Sequence, residues 1–426
     1  MRRNIRNKRL QTYRNNQKTK KFSKILIFSI FILFLLMISL YLYEFYKNKS
    51  NYDELSKSAD NIKINSNEVS EPTEEPKEEA PITFNLTAIG DVMCHNTQYM
   101  DAYDSSTGEY DFSYVFEDIK NYIKFSDISV GSLETCFAGA DRGYSNYPTF
   151  NSPDALAYSL ADIGIDVLST AGNHCLDMGF DGLARTIDVL DQAEISHVGT
   201  YKTAEEQNNI LIKDVRGIKI AFLNYTYGTN GIPIPEDKPY CVNLIDKDLI
   251  KKHIDLAKSQ NAEVIVACMH WGVEYQTSPS DEQKELSDFL FNNGVDIILG
   301  NHPHVLQPME KRTVTLGDGT TKDCFVIYAF GNFICDQNAE NTRNSIILNL
   351  NITKNTDGKI SINNVKYTPI YMYKNSSLKT RKMKILDIEK NILNYENGSD
   401  TSIGLNTYNL LKTQLEKIKS IIGDVP

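Results

Sequence analysis

Acidic, amide and imidazole side chains follow several strand-like apolar segments of this sequence at the point where each segment ends. Because ligands collect at the carboxyl ends of strands in open α/β sheets, we expect these side chains to meet at one rim. Neighbouring glycines would allow tight turns and a close approach of a substrate to the backbone. The side chains are Asp91, Glu134, Asn173, His174, His270, His302 and His304.

This set of side chains could hold divalent metal ions. Carboxylates, imidazoles and an amide oxygen are suitable ligands for Zn²⁺, Mn²⁺ or Fe. One carboxylate can bridge two ions that lie about 3.5–4 Å apart. Such a pair of ions lowers the pKa of a shared water molecule and binds a phosphate-like group or a tetrahedral intermediate. The pattern therefore predicts a divalent metal site, with two ions, of the kind found in hydrolytic enzymes.

The apolar segments that precede these residues are short and rich in Val, Ile or aromatic residues, as strands are. Segments with helical spacing lie between them, and Ser280 with Gln283 forms the capping-box pattern that opens a helix. Strands that alternate with helices predict an α/β domain. The predicted strands are residues 84–89, 128–133, 167–170, 218–224, 264–269, 295–299, 325–330, 344–352 and 359–369, and the predicted helices are residues 153–163, 180–193, 246–259, 280–291 and 407–421.

Three residues close behind His270 leave more than one interpretation open. Glu274 is a candidate catalytic residue, either as a general base or as a partner that orients the histidine, and its alternative role is structural. Trp271 and Tyr275 could be core aromatics or could form a wall for the substrate.

Other polar residues near the motifs are expected to have structural roles. His253 lies in a Lys-rich segment and is expected to be exposed to solvent, and Asp177 is expected to shape the turn after His174. The seven cysteines are odd in number and form no CxxC pair. We therefore expect small apolar side chains rather than disulfides, although a thiolate ligand is an alternative for those near the motifs.

Length and composition exclude several classes of protein. The chain has 426 residues, of which 41% are hydrophobic and 23% charged, as in folded proteins. Residues 1–24 hold ten Lys or Arg and no acidic residue, so residues 25–426 hold 35 basic and 55 acidic residues, a net charge of −20. This acidic body argues against a nucleic-acid partner.

A membrane segment is predicted at residues 25–43. This run of 19 residues contains no charge, and at about 1.5 Å per residue it would span about 28 Å, close to the bilayer core of about 30 Å. The preceding basic residues predict a cytoplasmic N-terminus and an extracellular main domain. No small-residue cleavage pattern follows, which favours an uncleaved signal anchor in a single-pass cell-membrane protein. Residues 44–82 are rich in Glu and Pro and are interpreted as an acidic stalk.

The order of the motifs resembles that of the calcineurin-like metallophosphoesterases. The finer pattern is similar to their capsule-synthesis relatives, the CapA (PgsA-type) proteins of poly-γ-glutamate capsule assembly. The resemblance implies a metallophosphoesterase-like αββα sandwich at residues 83–345, outside the membrane, followed by a C-terminal strand and helix extension at residues 346–426. It is carried by Gly90-Asp91-Val92-Met93, Ser132-Leu133-Glu134, Asn173-His174-Cys175-Leu176-Asp177-Met178-Gly179, His270-Trp271-Gly272-Val273-Glu274-Tyr275, His302-Pro303-His304-Val305-Leu306-Gln307-Pro308 and Gly331-Asn332-Phe333.

The resemblance also implies a role for each residue of the metal site. Glu134 would bridge the two ions, and His174 would contact the substrate or protonate a leaving group. The ligands would be Asp91, Glu134 and His304 for one ion, and Asn173, His270 and His302 for the other. Two positions depart from the phosphoesterases, because Met93 stands where they have a histidine ligand and Glu134 stands where they usually have Asp. His95 is the alternative source of the missing ligand.

The resemblance implies a cell-surface protein of poly-γ-glutamate capsule or exopolymer biosynthesis. It would act on or bind an anionic polymer through its metal ions, as a metal-dependent hydrolase beside a membrane synthase. One alternative is an extracellular metal-dependent phosphoesterase or hydrolase unrelated to a capsule. Another is a polymer-assembly factor without catalytic activity, which the loss of a ligand at Met93 favours.

Overall fold

The computed structural model describes residues 80–317, 319–399 and 403–426. The predicted basic tail, the predicted membrane segment and stalk residues 44–79 lie outside the described residues. Within the described residues, no helix is both long enough and apolar enough to cross a membrane. The membrane anchor therefore stays a prediction.

Strands and helices alternate along most of the described chain. The strands are β1 (Ile82–Val92), β2 (Tyr103–Asp104), β3 (Glu109–Tyr110), β4 (Ile128–Leu133), β5 (Val167–Ser169), β6 (Ser196–Val198), β7 (Leu211–Val215), β8 (Ile218–Thr226), β9 (Val264–His270), β10 (Ile297–Asn301), β11 (Met309–Thr315), β12 (Thr321–Ile327), β13 (Asn332–Ile334), β14 (Asn344–Lys354), β15 (Ile360–Lys374) and β16 (Met383–Asp387). The helices are α1 (Asn96–Ala102), α2 (Lys120–Lys124), α3 (Ala155–Asp162), α4 (Gly179–Gln192), α5 (Ala204–Asn208), α6 (Lys247–Ser259), α7 (Asp281–Asn293), α8 (Ile388–Glu396) and α9 (Leu405–Ile422). Each predicted strand and helix overlaps one of these elements.

The strands form two large sheets in which the strands that carry site residues run parallel. The first sheet has the order β16-β15-β14-β1-β4-β5-β6, and β13 also pairs with β1. Within it, β1, β4, β5 and β6 are parallel, whereas β14, β15 and β16 are antiparallel to their neighbours. The second sheet has the order β11-β12-β10-β9-β8-β7, and its four central strands are parallel. Parallel neighbours bring their carboxyl ends to the same edge of a sheet.

Apolar side chains from both sheets meet in one core between them. Leu86 of β1 belongs to the same buried cluster as Val266 of β9 and Leu299 of β10. Helices cover the other face of each sheet, where Leu160 of α3 packs on the first sheet and Leu290 of α7 packs on the second. Burying a side chain of this size contributes about 1.5–3 kcal/mol. The layers are thus helix, sheet, sheet and helix, which confirms the predicted α/β class and the αββα arrangement.

The two helices on the second sheet begin within one residue of their predicted starts, and α7 ends two residues after its predicted end. Ser280 Oγ accepts a hydrogen bond from Gln283 N–H over 3.2 Å, and Gln283 Oε1 accepts one from Ser280 N–H over 2.9 Å. This capping box satisfies backbone donors that the first turn of α7 would otherwise leave free. Gly294 ends the helix with a φ of 117°, a conformation that favours glycine. The Asp246 side chain caps α6 by accepting from Leu249 N–H over 2.8 Å.

The C-terminal strands belong to the first sheet. β14 pairs with β1, the strand that carries Asp91, from Ile82 to Ala88. The predicted boundary between residues 345 and 346 falls inside β14. The predicted C-terminal helix corresponds to α9, and its Leu411 and Ile418 are buried in the core cluster of the two sheets. The helix therefore packs on the main domain.

Candidate metal centre

The predicted site residues lie where strands of both sheets end. Asp91 is the second-last residue of β1, Glu134 follows β4 directly, and His270 is the last residue of β9. The register places Asp91 opposite Asn332 of β13 and His270 opposite Asn301 of β10. The set is almost completely shielded from solvent, with exposed fractions of 4% or less for Asp91, Glu134, Asn173, His174, His270, His302 and His304.

Glu134 lies at the centre of this group. Its Oε1 is 3.8 Å from His270 Nε2, and its Oε2 is 3.7 Å from His304 Nδ1. Donor atoms of Glu134, His302 and His304 all lie within 4.8 Å of one another. His270 Nε2 is also 2.8 Å from Asn173 Oδ1. The structure thus brings together carboxylate, imidazole and amide donors from five separate strand ends.

The compact group around Glu134 contains one histidine from each of the two ligand sets that the resemblance implied. That division put His302 with Asn173 and His270 on one ion, and His304 with Asp91 on the other. In the structure, donor atoms of His302 lie within 4.8 Å of those of Glu134 and His304. Asp91 Oδ2 also accepts a hydrogen bond from His302 N–H over 3.1 Å. The assignment of each residue to a particular ion therefore stays a prediction.

Several buried atoms of the group have no hydrogen-bond partner in the described part of the chain. These atoms are Asp91 Oδ1, both carboxylate oxygens of Glu134, His270 Nδ1 and His302 Nδ1. Buried polar atoms are almost always paired, because an unpaired one costs about 1–3 kcal/mol. Oxygen and imidazole donors that converge without protein partners fit a divalent cation of the Zn²⁺, Mn²⁺ or Fe type.

Burial sets the ionisation of the group when no cation is bound. It raises the pKa of Asp91 to about 7, and it raises the pKa of Glu134 well above its ordinary value, with a further contribution from the charge of Asp91. Burial lowers the pKa of His302 to about 4 and that of His304 to about 3. The imidazoles are therefore neutral at pH 7, the form that binds a metal, and a cation would favour the ionised carboxylates.

The loop that carries two of the histidines has an unusual backbone. His302 has a φ of 97° and His304 a φ of 59°, which is the left-handed region that residues other than glycine rarely occupy. The surrounding contacts hold this conformation. His302 N–H donates to Asp91, and His304 Nδ1 lies 3.1 Å from Asn332 Oδ1. Strained residues of this kind cluster at functional sites, where neighbouring contacts over-determine them.

His174 lies beside the donor group and is held by an acidic partner. Its Nδ1 is 2.7 Å from Asp177 Oδ2, and the same oxygen accepts from Phe150 N–H over 2.6 Å. The other ring nitrogen, Nε2, lies 3.4 Å from Asn230 Nδ2. Asp177 was expected to shape the turn after His174, and the structure adds that it orients the histidine.

An open cleft of about 270 Å³ leads to the site. Trp271 and Tyr275 take different roles around it, because Trp271 is a core residue whose Nε1–H donates to Tyr328 O over 2.9 Å, whereas Tyr275 is 45% exposed on the cleft wall. Glu274 is exposed at the rim, and its charge is among the causes that raise the pKa of Glu134. The cleft is lined by Met93, His95, Tyr147, Phe150, His174, Glu274, Tyr275, His304 and Gln337.

The position of the missing histidine ligand is filled by an apolar side chain. Met93 is 1% exposed and lines the cleft. His95 lines the same cleft, but its Nδ1 accepts a hydrogen bond from Asp336 N–H over 3.1 Å. It lies outside the compact group of Glu134, His302 and His304. The donor set therefore has one histidine fewer than the phosphoesterase pattern.

Two expectations about residues outside the site have clear outcomes. The expectation of a solvent-exposed His253 is wrong, because this side chain is 1% exposed and its Nδ1 lies 3.0 Å from the Tyr225 hydroxyl. All seven cysteines are free and buried, which confirms that they form no disulfides. Burial also raises the thiol pKa, for example to about 12 for Cys94, so these side chains are uncharged fillers of the core.

The sequence reasoning missed residues that support the ligands from neighbouring loops. Tyr227 follows β8, and its ring centroid is 4.5 Å from that of His302. Asn230 in the same loop accepts a hydrogen bond from Asn173 Nδ2 over 3.1 Å. Tyr227 lies three residues after the predicted strand at residues 218–224, so the signal that identified Glu134, a position directly after a predicted strand, was missing.

A model of the bacterial capsule synthesis protein PGA_cap family matches residues 85–337. The chain therefore belongs to this family, and the predicted membership is confirmed. It is 28% identical over 282 residues to the capsule biosynthesis protein CapA of Bacillus anthracis, which covers 63% of this chain and 64% of that protein. It is 31% identical over 205 residues to the PGA biosynthesis protein CapA of Bacillus subtilis, with coverages of 48% and 51%. The chain thus spans about half to two thirds of the length of these relatives.

Solved structures with partial similarity are more distant. An NAD nucleotidase of Haemophilus influenzae has a TM-score of 0.44 at 14% identity, over 80% of this chain and 61% of that one. A calcineurin-like phosphoesterase of Bacillus subtilis has a TM-score of 0.41 at 17% identity, over 68% of this chain and 90% of that one. At this level the similarity carries no inference about activity.

Proposed function

We propose that this protein uses a divalent metal site to act on an anionic polymer, such as poly-γ-glutamate, during synthesis of a capsule or exopolymer. The observation that supports this most directly is the convergence of buried donors without protein partners around Glu134. Membership of the capsule synthesis family supports the polymer as the substrate class. We further propose that the reaction is hydrolysis or transfer at an amide or phosphoester bond.

The metal-binding part of this proposal rests on six side chains. These side chains would hold one or two divalent ions. The six side chains are Asp91, Glu134, Asn173, His270, His302 and His304. A divalent ion bound there supplies Lewis acidity and positive charge that attracts an anionic group. This attraction matters because the rest of the body is acidic and repels a polyanion.

The chain contributes proton transfer and shape on the cleft side. His174 is oriented by Asp177 and lines the cleft, which makes it the candidate to give a proton to a leaving group. Glu274 at the rim is the candidate general base, since it is exposed and lines the same cleft. Tyr275 forms a wall that limits the position of the substrate.

We propose that the protein acts at the cell surface. The uncharged segment at residues 25–43 would anchor it as a single-pass membrane protein, with residues 1–24 in the cytoplasm and the main domain outside. Protease digestion of intact cells tests this arrangement. The main domain should be degraded while a tag at the N-terminus survives, and the reverse pattern would refute the orientation.

Metal analysis and turnover assays on one sample test the proposed chemistry. The purified full-length protein should contain Zn, Mn or Fe and should cleave or transfer poly-γ-glutamate or a phosphoester. His270→Ala should lose metal and activity together. His197→Ala is the matched control, because His197 of β6 lies 3.4 Å from Asp191 of α4 and is not one of the site residues. Absence of bound metal, or unchanged turnover in His270→Ala, would refute the proposal.

A second candidate function is assembly of the polymer without catalysis. The buried Met93 favours it, because one metal ligand of the phosphoesterase pattern is missing. Under this alternative the protein co-purifies with a membrane polymer synthase, and cells that carry His270→Ala still make the polymer. Loss of polymer in cells with His270→Ala, while the variant remains bound to the synthase, would favour the enzyme.

A further inference from the structure

A second pocket, of about 260 Å³, is lined in part by α1. We call it the lysine pocket, and it is lined by Thr97, Met100, Asp101, Lys374, Lys379, Lys382 and Met383. His95, the residue that precedes α1, lines the cleft, whereas Thr97 and Met100 of α1 line the lysine pocket. The two pockets are therefore neighbours along one helix.

A network of hydrogen bonds joins the two pockets. Asp336 N–H donates to His95 on the cleft side. On the other side, Asp336 Oδ2 accepts from the Thr97 hydroxyl over 2.5 Å and from Lys374 Nζ over 2.7 Å. Asp336 therefore connects a residue on the wall of the cleft with two residues on the wall of the lysine pocket.

The lysine pocket concentrates positive charge in an otherwise acidic body. The loop between β15 and β16, residues 375–382, contains Lys379, Arg381 and Lys382 and no acidic residue. Lys374 and Arg381 are paired, with Asp336 and Asp111. Among the described residues, no carboxylate forms an ion pair with Lys379 or Lys382, so both are available to an anionic ligand.

The lysine pocket also offers one buried hydrogen-bond acceptor. Asp101 is 8% exposed, and its Oδ2 accepts from the backbone N–H groups of Lys382 and Met383 over 2.6 and 3.0 Å. Its other oxygen, Oδ1, has no hydrogen-bond partner in the described part of the chain. Buried carboxylate oxygens are normally paired, so this atom is able to accept a hydrogen bond from a ligand.

We propose that the lysine pocket binds a further stretch of the polymer whose reacting group occupies the cleft, through its carboxylates and an amide N–H. The inference rests on the proposed function, and it narrows the substrate class to polyamides that carry repeated carboxylates. Lys379 and Lys382 bind the carboxylates, and Asp101 accepts the amide N–H. A cleft of about 270 Å³ is small for a polymer, so binding outside it supplies the affinity for long chains.

Polymer-binding measurements on the full-length protein test this inference. The probe is long-chain poly-γ-glutamate, and polyacrylate serves as a polyanion without amide groups. Lys379→Gln combined with Lys382→Gln should weaken poly-γ-glutamate binding about 2- to 30-fold at low salt, as expected for two exposed charge pairs. The difference should disappear near 1 M salt, where the Debye length is about 3 Å. The unmodified protein should bind poly-γ-glutamate more tightly than polyacrylate of the same charge.

A matched control separates the pocket from a general effect of charge. Lys251→Gln combined with Lys252→Gln removes the same charge from exposed positions of α6 and should leave binding unchanged. Met100→Glu, at a position 64% exposed in the pocket, should weaken binding without removing a lysine. The inference would be overturned if the two double lysine variants lost the same affinity for poly-γ-glutamate. It would also be overturned if neither the Lys379→Gln, Lys382→Gln variant nor Met100→Glu lost affinity. If the unmodified protein neither binds nor turns over the polymer, the proposed function itself fails.

Discussion

Replacement of Asp91 by Asn is expected to stabilise the metal-free protein while it abolishes metal binding. Asp91 is fully buried, and burial raises its pKa from 3.8 to about 7 even though its Oδ2 accepts a hydrogen bond from His302 N–H. In the unfolded chain the same carboxyl group ionises near its ordinary pKa. Folding of the metal-free protein therefore costs free energy at every pH above about 4, because it disfavours the ionised form.

The size of the effect follows from these two pKa values. The pKa of Asp91 is higher in the folded state than in the unfolded chain. The metal-free protein therefore has its full free energy of unfolding below about pH 4, and it loses part of this free energy as the pH rises toward about 7. Above that pH the loss reaches about 3 pKa units, or about 4 kcal/mol at about 1.36 kcal/mol per unit. Asn does not ionise and keeps an oxygen for the His302 amide. We expect Asp91→Asn to raise the free energy of unfolding of the metal-free protein by about 2–4 kcal/mol near pH 7.5 and by almost nothing near pH 4.

Chemical denaturation of the full-length protein with a chelator measures this gain at both pH values. Asp255→Asn is the matched control, because Asp255 is exposed on α6 and the substitution removes the same charge. Added Mn²⁺ or Zn²⁺ should stabilise the unmodified protein and the control but not Asp91→Asn. A variant that is no more stable near pH 7.5 in chelator, or one that metal still stabilises, would refute the reasoning.

Other substitutions and reagents probe the rest of the molecule. Asp177→Asn should lower turnover about 10- to 100-fold with unchanged metal content, because the His174 ring loses its carboxylate partner; equal turnover in metal-matched samples would contradict this. Burial lowers the pKa of His253 to about 4, so the folded state cannot take up the proton that the unfolded chain binds below about pH 6.5. Between about pH 7.5 and 5 the unmodified protein should therefore lose about 2 kcal/mol more unfolding free energy than His253→Gln, and parallel denaturation curves would exclude this. The seven buried cysteines should react with a thiol reagent only after unfolding, so a fast-reacting thiol in the native protein would count against the packing described.

Local sequence patterns were sufficient to predict much of the candidate site. Asp91, Glu134 and His270 each come at or directly after a short apolar run, and parallel strands bring such positions to one edge. The start of α7 could be predicted for the same reason, since Ser280 and Gln283 mark it by chemistry that involves only nearby residues. These features depend on interactions within a few positions of the chain.

Features that depend on distant contacts could not be predicted in this way. Asn230 supports Asn173 across 57 positions, and no local pattern indicates that contact. His253 is a different case, because a helical pattern was present. It lies three positions after the buried Ile250 and four before the buried Ala257, so it shares their face of α6. The prediction of solvent exposure relied on the neighbouring lysines instead of this spacing, and it was therefore wrong.

The pairing of β1 with β14 also determines when the fold can be completed. β1 carries Asp91 in the first part of the chain, but its antiparallel neighbour consists of residues Asn344–Lys354. The ribosome synthesises the N-terminal part first, so the edge of β1 that pairs with β14 stays unpaired until β14 has been made. Chaperones are the usual protection for such an edge. The sheet around Asp91 is therefore completed only after β14 has been synthesised.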